Sequence, residues 1–389
     1  MITTRETSML IRIIAAVLAG LAIAGSAHAQ LLTERKVFTL PQYTTVGGKT
    51  IRNVRIGYET YGKLNAAGDN AIYIAHFLTA NSHAAGRYKA DDKIPGYWDS
   101  IIGPGKPFDT DRYFVLSADT LVNVNAKDTG PGSVNPDTGR PWGMGFPIVT
   151  LRDFVRVQKA LADSLGVKKF AAVAGPSMGS LQVMEWAAAY PDMVARAIPV
   201  VPAGLDVNPY VIQTVSTWAT AISNDPDWNG GDYYGKAAPV KGVAEALKLA
   251  VLTARHPGWA EKSFGRKWAS PEGNPLKDWS GKYAADDALD MISHGRAAAT
   301  DANAFLYLVR AIQLYQVEGV EKIRAKVLAV PAKSDILFFP DYYTRKMVAA
   351  LKAQGTQVDV FEIEGDGGHL EGIFNGAKAG EAIRAFLQR

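Results

Sequence analysis

The stretch FAAVAGPSMGSLQVMEW, residues 170–186, decides the fold. Its first part, Phe170 to Ala174, is a short apolar run of the kind that forms a buried strand. Gly175-Pro176-Ser177-Met178-Gly179 follows and fits the pattern G-x-S-x-G. A helix is then predicted from Ser180 to Tyr190. A serine on a tight turn between a strand and a helix is held above the sheet, where it can act as a nucleophile.

Strand and helix patterns alternate on both sides of this turn. Strands are predicted at 36–40, 49–61, 71–76, 113–117, 197–201, 326–330 and 358–363, and helices at 150–165 and 377–387. The Gly103-Pro104-Gly105 segment is predicted to be loop. Short apolar strands separated by helices are typical of a mostly parallel sheet flanked by helices. The sequence therefore predicts the α/β class, and the turn at Ser177 indicates an α/β-hydrolase fold.

Residues 203–317 break this alternation and look mainly helical. They hold five of the eight tryptophans, at Trp218, Trp228, Trp259, Trp268 and Trp279. We expect an inserted helical lid over 203–317, between two parts of a hydrolase core at 30–202 and 318–389.

The N-terminus has the pattern of an export signal. Arg5 and Arg12 precede the apolar run 13–23, and Ala27-His28-Ala29 follows. A basic start, a short apolar core and an A-x-A end predict a signal peptide over residues 1–29. The run is shorter than the roughly 20 apolar residues that span a bilayer. We therefore expect a periplasmic or secreted protein without a membrane anchor after cleavage.

Composition narrows the function classes. The formal net charge is +4, from 42 basic and 38 acidic residues, and no basic stripe suggests a nucleic-acid partner. The absence of cysteine excludes disulfides and a cysteine nucleophile. Neither a metal-ligand spacing nor a dinucleotide fingerprint is present, so no metal and no cofactor is expected. The expected partner is a small acyl ester.

A serine nucleophile needs a base and an acid, which follow it in chain order in this fold. His369 is the predicted base because it follows a strand and the loop 365–368, whereas His256 and His294 lie in the predicted lid. Asp335 follows the strand at 326–330 and is the predicted acid. Asp366 competes with it, and Asp341 fits a solvated loop residue better.

Other site residues are predicted around this triad. The oxyanion that forms during acyl transfer needs two fixed N–H donors. We expect the amide of Met178 to be one and that of Leu78 the other, with Thr79 as the neighbouring alternative. Trp218 and Tyr234 are candidates for the substrate pocket, although lid aromatics more often form lid core.

Several longer motifs resemble the homoserine O-acetyltransferase family over residues 45–375. They are IGPGK (102–106), DTDRY (109–113), Asn135-Pro136, Phe146-Pro147, TLRDFVRVQK (150–159), SMGSLQVMEW (177–186) and DPDWNGGDYY (225–234). The resemblance implies an α/β-hydrolase with a helical lid, a dimer formed through that lid, and an acyl-serine mechanism with Ser177, Asp335 and His369.

The chain also differs from that family. Leu370 stands where members usually carry an acidic residue that helps to hold the amino-acid acceptor. Glu371 comes next, so the resemblance makes it a third candidate for substrate binding. The segment 121–128 replaces a glycine-rich stretch, and Pro176 and Ser180 replace glycines. Acetyl-CoA is cytoplasmic, so an exported enzyme would lack that donor. These features favour an exported esterase, with an O-acyltransferase using acetyl-CoA as the alternative and a catalytically silent binding protein as a third interpretation.

Overall fold

The computed structural model describes residues 31–389, so the predicted signal peptide lies outside the described residues. Ten strands occur in that range. They are β1 (Lys36–Thr44), β2 (Thr50–Tyr61), β3 (Ala71–Ala75), β4 (Ile102–Gly103), β5 (Phe108–Asp109), β6 (Phe114–Ala118), β7 (Phe170–Pro176), β8 (Arg196–Val200), β9 (Lys326–Ala329) and β10 (Val358–Val360).

Eight of these strands form one sheet in the order β1-β2-β6-β3-β7-β8-β9-β10. The first two pairings, β1 with β2 and β2 with β6, are antiparallel, and every other neighbouring pair is parallel. Each residue of β3 and β6 is buried, which explains why these strands are continuous apolar runs rather than alternating ones. The α/β class with a mostly parallel sheet is confirmed.

The described residues form ten α-helices. They are α1 (Leu151–Ser164), α2 (Met178–Ala189), α3 (Pro209–Ser223), α4 (Val240–Ala254), α5 (Pro257–Ser263), α6 (Ala284–Ala297), α7 (Ala302–Gln313), α8 (Tyr343–Ala353), α9 (Leu370–Phe374) and α10 (Gly380–Gln388). Helix α1 begins at the predicted Thr150 cap, where Thr150 and Asp153 form a reciprocal capping box. None of the helices described is long and apolar enough to cross a membrane.

Helices α3 to α7 lie between β8 and β9, within the segment predicted to be helical. The two ends of this segment, which we call the lid, are hydrogen bonded to each other. The amide of Val317 donates to the carbonyl of Leu205 at 2.8 Å, and Asp206 pairs with Gln316 in an antiparallel bridge. The chain therefore leaves and re-enters the core at one place.

Three local predictions were wrong. Gly103 belongs to β4, which forms a two-stranded parallel sheet with β5, because backbone pairing and not apolar pattern defines such short strands. The last strand ends at Val360, and Ile363 joins the sheet only through a single bridge to Ala332. The final helix begins at Gly380, after a 3-10 turn at Gly376–Ala379.

Candidate active site

Ser177 sits on the turn between β7 and α2. Its backbone has φ 57° and ψ −123°, a conformation that L-residues rarely adopt and that persists only when the surroundings enforce it. The flanking glycines explain how the turn fits. A Cβ on Gly175 would lie 2.5 Å from the carbonyl oxygen of Ala75, and one on Gly179 would lie 2.2 Å from the same atom. Strand β3 is thus packed directly against the turn, and only glycine allows that approach.

The structure brings Ser177, His369 and Asp335 together. His369 Nε2 lies 2.7 Å from Ser177 Oγ, and His369 Nδ1 lies 2.7 Å from Asp335 Oδ2. The histidine and the aspartate are each 2% exposed, whereas Ser177 is half-buried and reachable. In this arrangement the imidazole can take the serine proton while the carboxylate fixes its orientation and stabilises its charged form.

Backbone contacts hold the acid and the base in place. Asp335 Oδ1 accepts from the amides of Leu337 and Phe338, both at 2.9 Å, so only Oδ2 is left to face the imidazole. The Phe338 ring also packs edge-on against His369, with centroids 5.0 Å apart. The amide of Gly368 donates to Ser334 Oγ at 3.0 Å, which ties the histidine loop to the aspartate loop.

The competing acids are placed elsewhere. Asp341 forms an exposed ion pair with Arg345, as expected of a solvated residue. Asp366 borders a separate surface depression on the outer side of the histidine loop.

The predicted oxyanion donors border the nucleophile. Met178 is the first residue of α2, where an amide has no partner within the helix. Leu78 and Thr79 follow β3 and line the same cavity as Ser177. Over residues 31–389, the amides of Leu78 and Thr79 donate to no protein acceptor.

A cavity of about 190 Å³ opens beside Ser177 and His369. Its walls come from the segment after β3, from the lid and from the segment that carries His369, and they are mostly apolar. The apolar lining consists of Phe77, Leu78, Trp218, Leu247, Ala250, Val251, Ala254, Ile292, Leu337, Leu370, Ile373 and Phe374. Trp218, one of the candidates for the substrate pocket, is among these lining residues and is also packed in the lid core.

Comparison with known proteins places the chain in a family. A protein-family model described as the α/β-hydrolase fold matches residues 94–373 of the chain. A homoserine O-acetyltransferase from Symbiobacterium thermophilum is 41% identical over an alignment of 371 positions, and the alignment covers 92% of this chain and 96% of that protein. The crystal structure of homoserine O-acetyltransferase from Bacillus anthracis is 35% identical, with a TM-score of 0.87, and covers 92% of this chain and 98% of its own.

The chain belongs to the homoserine O-acetyltransferase family. It is an enzyme with the α/β-hydrolase fold, so the predicted fold and family are confirmed. The chain is also similar to a solved structure of an esterase. A crystal structure described as an esterase is 43% identical, with a TM-score of 0.87, and covers 92% of this chain and all (100%) of its own.

Two arginines, Arg255 and Arg296, line the cavity, and neither was predicted from the sequence as a site residue. Arg255 follows α4, and its guanidinium lies 4.5 Å from the ring centroid of Trp259. Arg296, on α6, donates through Nη2 to the carbonyl of Thr79 at 2.8 Å. Burial lowers the pKa of both guanidinium groups, although Glu371 opposes that effect at Arg255. A basic residue on an otherwise apolar face of a lid helix could have indicated such a position in the sequence. Arg296, one turn after Ile292, is an example.

Glu371 does not line the cavity, contrary to its prediction as a substrate-binding residue. It turns to the outer side of the histidine loop, where it accepts from Asn375 at 2.6 Å, from Lys378 at 3.1 Å and from the amide of Gly367 at 3.0 Å. Partial burial raises its pKa, but these three donors outweigh burial and lower the pKa below 4.5. In this position, Glu371 braces the loop that carries His369.

Tyr234 is also outside the cavity, so its prediction as a pocket residue was wrong. Its hydroxyl donates to Asp301 Oδ1 at 3.1 Å, and its ring packs against Tyr233 in the lid. Asp301, which is 67 residues away in the sequence, holds the hydroxyl in this orientation. In the part of the family member that the structure describes, no group of three or more acidic or histidine side chains could hold a metal ion.

Proposed function

We propose that this chain is an exported carboxylic-ester hydrolase that cleaves small acyl esters through an acyl-serine intermediate. The observation that carries the proposal is a Ser177–His369–Asp335 relay that opens into a small, mostly apolar cavity. Its volume of about 190 Å³ is below the roughly 300–1,000 Å³ of pockets for drug-sized ligands, which favours a short acyl group.

The geometry supports a reaction in two steps. His369 Nε2 accepts the proton of Ser177 Oγ as that oxygen attacks the ester carbonyl carbon. The negative charge of the tetrahedral intermediate is stabilised by the amides of Met178 and Leu78. His369 then gives the proton to the departing alcohol, which leaves an acyl group on Ser177. A water molecule then gives a proton to His369 and attacks the carbonyl carbon of the acyl-serine. As the bond between the acyl group and Ser177 Oγ breaks, His369 returns this proton to Oγ, which releases the carboxylic acid and the free serine.

The side of the cavity next to His369 favours water as the acyl acceptor. Leu370 lines the cavity there, at the position where an acidic residue would help to hold an amino-acid acceptor. Glu371, the next carboxylate, is turned away and occupied by three donors. The predicted signal peptide also favours an extracytoplasmic location, where acetyl-CoA is absent. The esterase at 43% identity supports the same assignment.

An O-acyltransferase is the second candidate, and the two lid arginines favour it. Arg255 and Arg296 place positive charge on the wall of the cavity, among whose lining residues there is no carboxylate. A carboxylate-bearing acceptor would find its counter-charge there. The relatives named homoserine O-acetyltransferase, at 34–41% identity, support this candidate.

Hydrolysis of p-nitrophenyl acetate, butyrate and octanoate by the purified mature chain tests the proposal. We expect hydrolysis of the short esters, a steep decline towards octanoate, and loss of activity in Ser177→Ala. Rapid release of CoA from acetyl-CoA that depends on homoserine would instead establish the acyltransferase. A protein that hydrolyses no ester and whose Ser177 does not react with a fluorophosphonate would be the silent binding protein.

Leu370 offers a sharper test of acceptor choice. Leu370→Asp adds a carboxylate beside His369, whereas Leu370→Asn adds polarity without charge. If the apolar wall excludes an ammonium-bearing acceptor, Leu370→Asp alone should increase acetyl transfer to homoserine relative to hydrolysis. Equal ratios in both variants and the unchanged chain would show that this position does not select the acceptor.

Export is tested separately by expressing the full chain in a bacterium and separating the periplasm from the cytoplasm. We expect processed enzyme in the periplasm, with a new N-terminus at Gln30, and retention in the cytoplasm when residues 1–29 are removed. Activity confined to the cytoplasm for the full chain would contradict export.

A further inference from the structure

The peptide unit that joins Phe77 to Leu78 is fixed from its carbonyl side. The carbonyl oxygen of Phe77 accepts from His76 Nδ1 at 2.8 Å and from the amide of Ala80 at 3.0 Å. The described residues contain no cis peptide bond, and in a trans peptide the C=O and N–H groups point in opposite directions. Fixing the Phe77 carbonyl therefore also fixes the direction of the Leu78 N–H.

The hydrogen bonds of His76 determine its tautomer. His76 is 0% exposed, and its Nε2 lies 3.1 Å from the amide nitrogen of Thr120. A backbone amide can only donate, so Nε2 must accept and the proton of the neutral ring is on Nδ1. Burial lowers the pKa of His76 and so favours the neutral ring. The N–H at Nδ1 therefore donates the hydrogen bond that the Phe77 carbonyl accepts.

The other oxyanion donor is fixed in the same way. The carbonyl oxygen of Ser177 accepts from the amide of Ser180 at 2.7 Å and from Ser180 Oγ at 2.6 Å. The N–H of Met178, in the same peptide unit, is consequently directed the opposite way. Each donor amide thus belongs to a peptide unit whose carbonyl accepts two hydrogen bonds, one of them from a side chain.

We propose that His76 is a positioning residue of the oxyanion hole, which aims and polarises the N–H of Leu78 through the Phe77 carbonyl, and that Ser180 has the corresponding role for Met178. Hydrogen bonds accepted by a carbonyl strengthen the donor at the other end of the same amide. The arrangement selects Leu78 over Thr79, because the Leu78 carbonyl in the next peptide unit accepts no hydrogen bond from any described residue. This inference rests on the acyl-serine mechanism proposed above.

Two polar substitutions at the same buried position test the role of the Nδ1 donor. In His76→Asn the side-chain amide can take the place of Nδ1 and still donate to the Phe77 carbonyl. In His76→Gln the amide reaches only the place of Nε2, so it can contact Thr120 but not fix the Phe77 carbonyl. We expect kcat for ester hydrolysis to fall about 10- to 100-fold in His76→Gln, compared with roughly 100- to 1,000-fold when an oxyanion donor is removed outright. His76→Asn should stay within about 3-fold of the unchanged enzyme.

The changes in kcat and KM distinguish a positioning role of His76 from a general structural role. Oxyanion contacts form in the transition state, so KM should remain unchanged while kcat falls. A boronic acid, which forms a tetrahedral adduct on Ser177, should lose affinity in His76→Gln by the same factor as kcat/KM. Equal kcat in the two His76 variants, or a loss confined to KM, would overturn the proposal.

If the His76 variants do not fold, Ser180→Ala still tests whether a side-chain donor to the carbonyl of a peptide unit positions the N–H of that unit. It removes Oγ but leaves the Ser180 amide on the Ser177 carbonyl, so we expect a 2- to 5-fold fall in kcat without a change in KM. An unchanged kcat would refute the role of Ser180. All of these variants can also be compared by the rate at which a fluorophosphonate phosphonylates Ser177, which requires no ester substrate. If the protein hydrolyses no ester, this rate still tests the oxyanion hole, so a failure of the esterase proposal is distinguished from a failure of this inference.

Discussion

Replacing Asp335 with asparagine tests the role of this residue in the Ser177–His369–Asp335 triad. The hydrogen bonds around Asp335 determine how the new amide must be oriented. Asp335 Oδ1 accepts from the amides of Leu337 and Phe338, and those two donors require an oxygen in the same place. In Asp335→Asn the amide oxygen therefore stays on them, and the NH₂ group turns to His369. Since His369 Nδ1 would then have to accept, its proton would move to Nε2, the atom that must accept from Ser177.

The expected effect is a loss of kcat of about 10⁴-fold, as for the same change of tautomer in a serine protease. That factor corresponds to roughly 5.5 kcal/mol of activation free energy. Ester hydrolysis at pH 7–8 gives kcat, and thermal unfolding checks the fold. Asp341→Asn is the matched control, because that carboxylate is exposed and its loss should leave kcat unchanged.

A folded Asp335→Asn protein that keeps kcat within 10-fold of the unchanged enzyme would refute this reasoning. It would mean that His369 reaches the correct tautomer without Asp335, or that another carboxylate serves it. Asp366 would then be the residue to substitute next.

Three further perturbations follow from the structure. Gly179→Ala should destabilise the fold by about 1–3 kcal/mol and lower activity, because the new Cβ would lie 2.2 Å from the carbonyl oxygen of Ala75; chemical denaturation measures it. Gly295→Ala, within α6 and facing open space, should instead stabilise by about 0.4–1 kcal/mol, and a loss of stability would show that the lid helix is tightly packed there. Glu371→Gln should destabilise at pH 7 by about 1 kcal/mol, since the side chain is only 8% exposed and its carboxylate accepts three hydrogen bonds. Its folded-state pKa lies below 4.5, so the ionised form stabilises the fold above pH 4.5 and the difference between variant and parent should vanish as pH falls further. Melting temperatures from pH 3 to 8 test this, with Glu381→Gln as the exposed control.

The sequence was most informative where backbone geometry restricts residue choice. Gly175 and Gly179 are required by the close approach of β3, so the turn at Ser177 could be predicted from local sequence. The chain order of the triad, together with the position of each residue just after a predicted strand, then favoured Asp335 and His369 without knowledge of distances. Elements with a clear apolar pattern were also predicted close to their observed bounds, as for the short continuous run of β3 and the amphipathic helix α1.

The pocket was predicted less well, because the direction of a side chain depends on partners that are distant in sequence. Tyr234 is held by Asp301, 67 residues away, and nothing near Tyr234 indicates that acceptor. Arg296 reaches Thr79 across 217 residues. Glu371 was misassigned for a different reason: its partners are local, but a helical turn that directs it outward could not be distinguished from one that directs it into the cavity.

The paired ends of the lid have a consequence for how this enzyme can diversify. Leu205 and Val317 are hydrogen bonded to each other, so the chain returns to the core where it left it. An insertion, a deletion or a wholesale exchange of the intervening helices therefore need not move either neighbouring strand. Substrate preference can evolve in this module while the reacting groups are inherited unchanged, and a lid taken from a related enzyme should be graftable at these two residues.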